Sequence, residues 1–394
     1  MNHDTGFETD TLHYKKIILI GNNANSLINF RGSLIKALID SGVQVFALSP
    51  AYTPEEKLAV EQLGAQALTY PLSRTGVNPL QDLKTLLALR SILLRIKPDV
   101  TLAYFAKPVI WGILAAWLAA VPRRVAMIEG LGFAFTDDGR PPSIKRRLLR
   151  SIVTTLYRLA LARAHRVLLL NRDDLAELTR LGLVRADQAE NIGGIGVDLA
   201  QWPQMPLPSG PLTFALAARM LREKGVLDFV AAARLIKQKH PSVRFLLLGG
   251  LDENPGALAR ADVQQWVDEG IVEWPGHVPM LPWLSQCSVY VLPSYREGLP
   301  RSTQEAMAIG RPVITTDVPG CRDTVIEGVN GYLVPPRNPA ALAAAMQRFV
   351  SNPALVATMG AQSRRLAEER FDVHKVNQKI MAVLGFGAAG SSDA

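Results

Sequence analysis

Glu297 and Glu305, eight residues apart in SYREGLPRSTQEAMAIGRPVITTD, are the sharpest chemical signal in the chain. Gly298 and Pro300 lie between them, which puts the first carboxylate on a loop and the second in the first turn of the helix that follows. Two carboxylates facing each other there could hold a ribose diol and a sugar ring in a fixed pose. Ser302 and Glu305 also have the S-x-x-E spacing of a capping box, in which Glu305 would do no more than accept a bond from a helix-start amide. Earlier, Arg219 and Lys224 in ARMLREKG stand five apart, where an apolar strand gives way to a helix. Two cations beside free backbone N–H groups balance the charge of a phosphate, and a solvated turn is the bland alternative. A third stretch, GNNANSLINFRG (Gly21 to Gly32), lacks G-x-G-x-x-G spacing, and no acid closes the next strand at Ser49, which argues against a nicotinamide dinucleotide. Its Asn22, Asn23 and Asn25 could present amides to a hydroxyl-rich ligand or could satisfy turn geometry.

These residues need elements to hold them, and the hydrophobic pattern supplies two βα series. KKIILIGN (Lys15 to Asn22) reads as a buried parallel strand, Phe30 to Ser41 as the next helix and Val43 to Ser49 as the next strand. Helices at Glu55 to Leu63, Pro79 to Ile96 and Val109 to Ala119 alternate with strands at Gln66 to Tyr70, Asp99 to Tyr104 and Arg124 to Ile128. Ser143 can cap a helix running to about Arg163, and Arg166 to Asn171 is another strand. Four prolines and a glycine in QWPQMPLPSGP (Gln201 to Pro211) mark a linker. The second series has strands at Leu212 to Met220, Val243 to Gly250, Ile271 to Trp274, Val289 to Pro293 and Pro312 to Asp317. Its helices are at Val226 to Lys239, Val263 to Glu269 and Thr303 to Ile309, and a last helix spans Val373 to Leu384. Such alternation predicts doubly wound parallel sheets that bind ligands at the carboxyl ends of their strands.

With the elements in place, the motifs resemble the retaining glycosyltransferases of family 4. The resemblance covers nearly the whole chain and implies an α/β fold of the GT-B type: two facing Rossmann-like, doubly wound domains with a C-terminal helix crossing back. The boundaries expected on that basis are a tail at 1–14, an acceptor-binding domain at 15–203, a linker at 204–211, a nucleotide-sugar-binding domain at 212–372, the crossing helix at 373–386 and a disordered tail at 387–394. Arg219 and Lys224 look like the family's clamp on the donor diphosphate. Glu297 and Glu305 look like its paired glutamates, the former implied near the donor sugar and the latter on the ribose, with Gly298, Leu299 and Pro300 completing the donor loop. The segment Val318 to Val334 matches the part that closes the donor pocket, with Asp323 where many members carry glutamate. SRTGVNPLQDL, FAKPVIWG and EGLGFAF resemble members that build capsule, O-antigen or other lipid-linked bacterial glycans on polyprenyl diphosphate. That implies acceptor contacts at Asn25, Arg74 and Lys107. Glu129 stands where many members have a histidine, and either takes its catalytic place beside Glu297, Arg219 and Lys224 or only caps the following turn.

The implied reaction moves a sugar from a nucleotide-diphosphate donor with retention at the anomeric carbon. A UDP-hexose or UDP-N-acetylhexosamine is the expected donor and GDP-mannose its rival. No D-x-D triplet is present, so the two cations are expected to replace a metal, and no cofactor is expected. Composition sets the outer limits. The chain of 394 residues is 48% hydrophobic, long enough for two cores and too apolar for global disorder, and two cysteines cannot build a disulfide framework. The start is polar and acidic rather than signal-like, and the apolar run Pro108 to Pro122 is too short to span a bilayer, so a cytoplasmic protein is expected. Of the net charge of +8, residues 1–205 carry +6 (24 basic, 18 acidic). From Arg140 to Arg166 eight basic residues occur without an acid. Lys145, Arg146, Arg147 and Arg150 are therefore expected to meet an anionic membrane surface or a lipid diphosphate, unless the helix simply displays them to water. Nucleic acid is a weaker use of that charge, since no recognition motif accompanies it. A UDP-sugar 2-epimerase and an inactive scaffold of the same fold are the competing readings.

Overall fold

The computed structural model describes residues 14–73, 78–132, 135, 143–252, 254 and 256–386. The expected tails at 1–13 and 387–394 lie outside them. The chain runs β1 (Lys16–Ile20), α1 (Ala24–Asn29), α2 (Gly32–Asp40), β2 (Gln44–Ser49), α3 (Pro54–Gln62), β3 (Gln66–Thr69), α4 (Pro79–Ile96), β4 (Val100–Tyr104), α5 (Ala106–Leu118), β5 (Arg123–Ile128), α6 (Ile144–Leu161), β6 (Arg166–Leu169), α7 (Arg172–Arg180) and β7 (Ala189–Asn191). It continues with β8 (Thr213–Ala217), α8 (Val226–Lys237), β9 (Arg244–Leu248), α9 (Arg260–Asp268), β10 (Glu273–Gly276), α10 (Met280–Leu284), β11 (Val289–Leu292), α11 (Arg301–Ala308), β12 (Val313–Thr316), β13 (Gly331–Val334), α12 (Pro339–Ser351), α13 (Ala354–Arg370) and α14 (Val373–Leu384).

The strands form two sheets, ordered β3-β2-β1-β4-β5-β6-β7 and β10-β9-β8-β11-β12-β13. The resolved pairings are parallel, and the central strands are buried on both faces, which explains why KIILI and TFALA read as unbroken apolar runs. This is the doubly wound pair of Rossmann-like sheets expected of the GT-B class. Packing divides the chain into two compact units, one of Met1–Met127, Tyr157–Val167 and Asn377–Ala394, the other of Ile128–Leu156 and Leu168–Val376.

Several elements differ from the sequence reading for local reasons. The helix expected from Phe30 is two helices, because Asn23 accepts from the Ser26 amide at 2.8 Å and starts α1 at Ala24, six residues before Phe30. α5 begins at Ala106, before the expected Val109, from a Phe105 held at φ +69°. The capping expected of Ser143 is present, its Oγ accepting from the Arg146 amide at 3.2 Å. α7, α12 and α13 form where the sequence reading placed no helix. Both cysteines are buried and unpaired, and burial pushes each thiol up to about 12.

Candidate active site

In each sheet the strand order reverses beside one central pair, β1 with β4 and β8 with β11, and a doubly wound sheet opens its ligand crevice outside the carboxyl ends of such a pair. In the second sheet those ends carry Arg219, Lys224 and the 293–300 loop. After β8 a 3-10 turn over Arg222–Lys224 ends at Gly225, whose φ of +70° admits few other residues. A Cβ there would also collide with the Pro293 carbonyl, so glycine is what allows the Lys224 turn to lie against the loop after β11. Across that contact Lys224 Nζ donates to Glu297 Oε1 at 2.6 Å, and Ser294 Oγ donates to the same oxygen at 2.8 Å. Both members of the ion pair are largely buried, so removing either would leave the other's charge uncompensated. Arg219 turns elsewhere: its Nη1 meets Asp252 Oδ2 at 2.6 Å, and its side chain is 58% exposed. The two cations expected to act together are thus each matched to a different carboxylate.

Glu305 is not where the sequence suggested. α11 starts at Arg301 after Pro300 and has no side-chain cap, so Glu305 sits in its second turn. Ser302, the supposed cap, is inside the helix and takes the Tyr290 hydroxyl at 2.6 Å. The capping-box alternative for Glu305 is therefore overturned. Its carboxylate accepts from Arg301 Nε at 2.9 Å, one turn back. Burial lifts the Glu305 carboxyl above its ordinary range, while the Arg301 charge pulls the other way.

The loop bearing Glu297 is tightly enclosed. A Cβ on Gly298 would strike the Glu129 carbonyl, and one on Gly320 would strike the carbonyls of Glu297 and Gly298. Glu129, Glu297 and the segment at Pro319–Gly320 are thus brought together by backbone contact, and the Glu297 amide donates to the Pro319 carbonyl at 3.1 Å. Leu299 is buried beside them. Asp323 lies near Asp173 and Arg322, and burial raises its carboxyl. Ser294 was missed in the sequence, as was Asp252; neither belongs to a motif with a spacing of its own.

At the β1–β4 crevice one asparagine serves the backbone and the other two bond to neighbouring asparagine side chains. Asn23 caps α1, Asn22 accepts from Asn23 Nδ2 at 2.6 Å, and Asn25, exposed, accepts from Asn29. Lys107 Nζ lies 3.1 Å from the buried Asp82. Arg74 and the side chain of Lys145 lie outside the described residues. On α6, Arg147 is exposed, Arg146 half-buried, and Arg150 meets Glu177 at 3.2 Å and stacks over the Phe135 ring. Ile144 and Leu148 on the same helix are 85% and 61% exposed. Among the described residues no helix is long and apolar enough to cross a membrane.

Two family descriptions match the chain, "Glycosyl transferase 4-like domain" over residues 30–193 and "Glycosyl transferases group 1" over residues 211–352. Among curated proteins, the chain is 30% identical over 328 residues to the N,N'-diacetylbacillosaminyl-diphospho-undecaprenol alpha-1,3-N-acetylgalactosaminyltransferase of Campylobacter jejuni, covering 79% of this chain and 83% of that protein. It is 23% identical to the capsular polysaccharide biosynthesis glycosyltransferase CapM of Staphylococcus aureus, covering 74% and 77%. Among solved structures, sucrose-phosphate synthase of Thermosynechococcus elongatus superposes with a TM-score of 0.76 at 20% identity, over 94% of this chain and 98% of that one. Anabaena HepE, solved with UDP and glucose, superposes at 0.72 and 19% identity, over 94% and 99%.

Proposed function

We propose, from the premise that this chain belongs to the glycosyltransferases of group 1 with a 4-like N-terminal region, that it moves a hexose or N-acetylhexosamine from a UDP-sugar to a saccharide on polyprenyl diphosphate, with retention at the anomeric carbon. The observation that carries the donor half is the Lys224–Glu297 pair at the β8–β11 crevice, a cation and a carboxylate one hydrogen bond apart. As the nucleotide leaves, charge builds on its β-phosphate, and Lys224 and Arg219 offset that charge more in the transition state than before it. Glu297, held by Lys224 and Ser294, presents its second oxygen toward sugar hydroxyls, and Glu305 is assigned to the ribose diol. Glu129 borders the same loop and is assigned to the sugar side. Two cations supply what a metal would, so transfer is expected to proceed in chelator. The acceptor is drawn from the Campylobacter relative, whose name specifies a diphospho-undecaprenol saccharide.

An acceptor of that kind lies in a membrane, and two helices support peripheral attachment at the inner face of the cytoplasmic membrane. α6 exposes Ile144 and Leu148 beside Arg147. α4 buries Asp82, Thr85, Leu89 and Leu93 and exposes Leu80, Leu83, Leu87 and Leu94 along its opposite side, flanked by exposed Lys84, Arg90, Arg95 and Lys97. The only acid of α4, Asp82, is buried, so that outer face carries leucines, cations and the neutral Ser91 without an acid, the chemistry of a helix lying in an anionic interface.

Thermal shifts with UDP, GDP, ADP and dTDP in chelator test the donor half without an acceptor. UDP is expected to raise the Tm of the native chain and not that of Lys224→Ala, whose transfer rate should fall about 100- to 1000-fold. Stabilisation by GDP alone would turn the assignment to mannosyl transfer, and silence from every nucleotide, or a strict metal requirement, would overturn the proposal.

A further inference from the structure

Behind Glu297 stands a group of buried side chains that the proposed chemistry does not use. Asn171 caps α7, its Oδ1 accepting from the Asp174 amide at 2.7 Å. Its Nδ2 donates to Asp174 Oδ2 at 3.0 Å and to the carbonyl of Gly298, 127 residues on, at 2.5 Å. The Asp174 carboxylate accepts from Arg296 Nη2, which also reaches Glu177 Oε2 at 2.9 Å, and Arg296 Nη1 donates to the Phe135 carbonyl at 3.3 Å. Asn171 and Asp174 are fully buried. A helix cap needs only an acceptor oxygen, so the bond from Asn171 Nδ2 to a distant loop does nothing for α7. A buried carboxylate–guanidinium pair is a poor source of stability, because desolvation offsets most of the attraction. What both contacts supply is geometry. One grips the residue before Glu297 and the other the residue after it, while the Glu297 amide is tied to Pro319. Rotation of the Gly298 peptide would break the Asn171 bond, and a shift of the backbone at Arg296 would pull its guanidinium against Asp174 and Glu177.

We propose that Asn171, Asp174 and Arg296 form a bracket that fixes the backbone on both sides of Glu297, and so sets where its carboxylate meets the donor sugar; they are positioning residues, not substrate contacts. This rests on the assignment of Glu297 to the sugar. Arg296, placed between the motif glutamate and Tyr295, is the part of the loop that reaches back to α7.

Asn171→Ser separates the two roles, since serine still caps a helix but cannot reach the Gly298 carbonyl. Arg296→Lys keeps the counter-charge that Asp174 needs while losing the fork that spans Asp174, Glu177 and Phe135. Each variant is expected to lower the Tm by a few degrees for the buried bond it removes, to keep KM for the donor and Kd for UDP within about twofold, and to lose about a hundredfold in kcat, the cost of a misplaced reacting group. Amide hydrogen exchange at residues 295–299 should quicken in Asn171→Ser. Unchanged kcat, or a kcat loss matched by weaker UDP binding, would overturn the bracket. If the native chain neither binds UDP nor transfers a sugar, the donor assignment fails instead. Exchange at 295–299 then decides alone, and unchanged rates in Asn171→Ser would remove the bracket as well.

Discussion

Glu297 and Glu305 bring the same functional group into different surroundings. Glu297 shares one oxygen between an ammonium and a hydroxyl on the loop after β11, so its charge is matched by neighbours of its own. Glu305 is set into α11 against Arg301, and burial there disfavours its ionised form. For a carboxyl whose folded pKa lies above its unfolded value of about 4.3, the folded state holds the proton longer than the unfolded chain. The stability tied to that proton is therefore complete below about pH 4 and is lost as pH rises through the folded pKa. Glu305→Gln keeps the shape and removes the titration. Urea unfolding is expected to show the variant equal to the native chain near pH 4 and at least as stable at pH 7, while UDP stabilises it less. A variant less stable at pH 7 would mean that the Arg301 pair outweighs the burial cost.

At the scale of elements, α4 packs a mixed side of Asp82, Thr85, Leu89 and Leu93 inside its unit and turns a leucine seam outward. If the outer seam lies in a lipid interface, Leu80→Gln with Leu87→Gln should abolish co-sedimentation with vesicles rich in phosphatidylglycerol and leave the Tm unchanged, because neither leucine is packed. Each flanking cation contributes about 1 kcal/mol at an anionic surface, so raised salt should weaken the binding of the native chain as well. Equal sedimentation of variant and native chain would dismiss α4 and leave α6 as the membrane face. The unbroken apolar run KIILI and the capped helix Pro79–Ile96 were legible because propensity, pattern and local signals agree there. The capping-box reading of Ser302 failed because S-x-x-E spacing does not say whether the serine lies before the helix or in it, and the Pro300 junction put it inside. Arg219 and Lys224 could be picked from the chain as a pair, but their separate carboxylates come from the loop after β9 and the loop after β11, which no local spacing reports. The bracket on Glu297 had one visible trace, the N-x-x-D start of α7 in NRDDLAEL, whose long-range arm shows only in three dimensions.

For the whole molecule, βα alternation predicts two series but not which strands become neighbours, and the crossovers decide that by placing β1 beside β4 and β8 beside β11. Packing is likewise discontinuous in sequence, since the described residues from Asn377 to Phe386 belong with the unit that begins the chain. Within that unit Ile380, Val383 and Leu384 are buried, and the guanidinium of Arg123, at the start of β5, donates from Nε to the Val383 carbonyl at 2.9 Å. Burial of three such side chains contributes on the order of 5 kcal/mol, comparable to the whole stability of many domains. A chain ending at Asp372 should therefore lose exchange protection in β1, β4 and β5, more than 240 residues away in sequence, while β8, β9 and β11 keep theirs. Equal loss in both sheets would show that the two units unfold as one, and undiminished protection in β5 would show that α14 is an appendage rather than a wall of the first core.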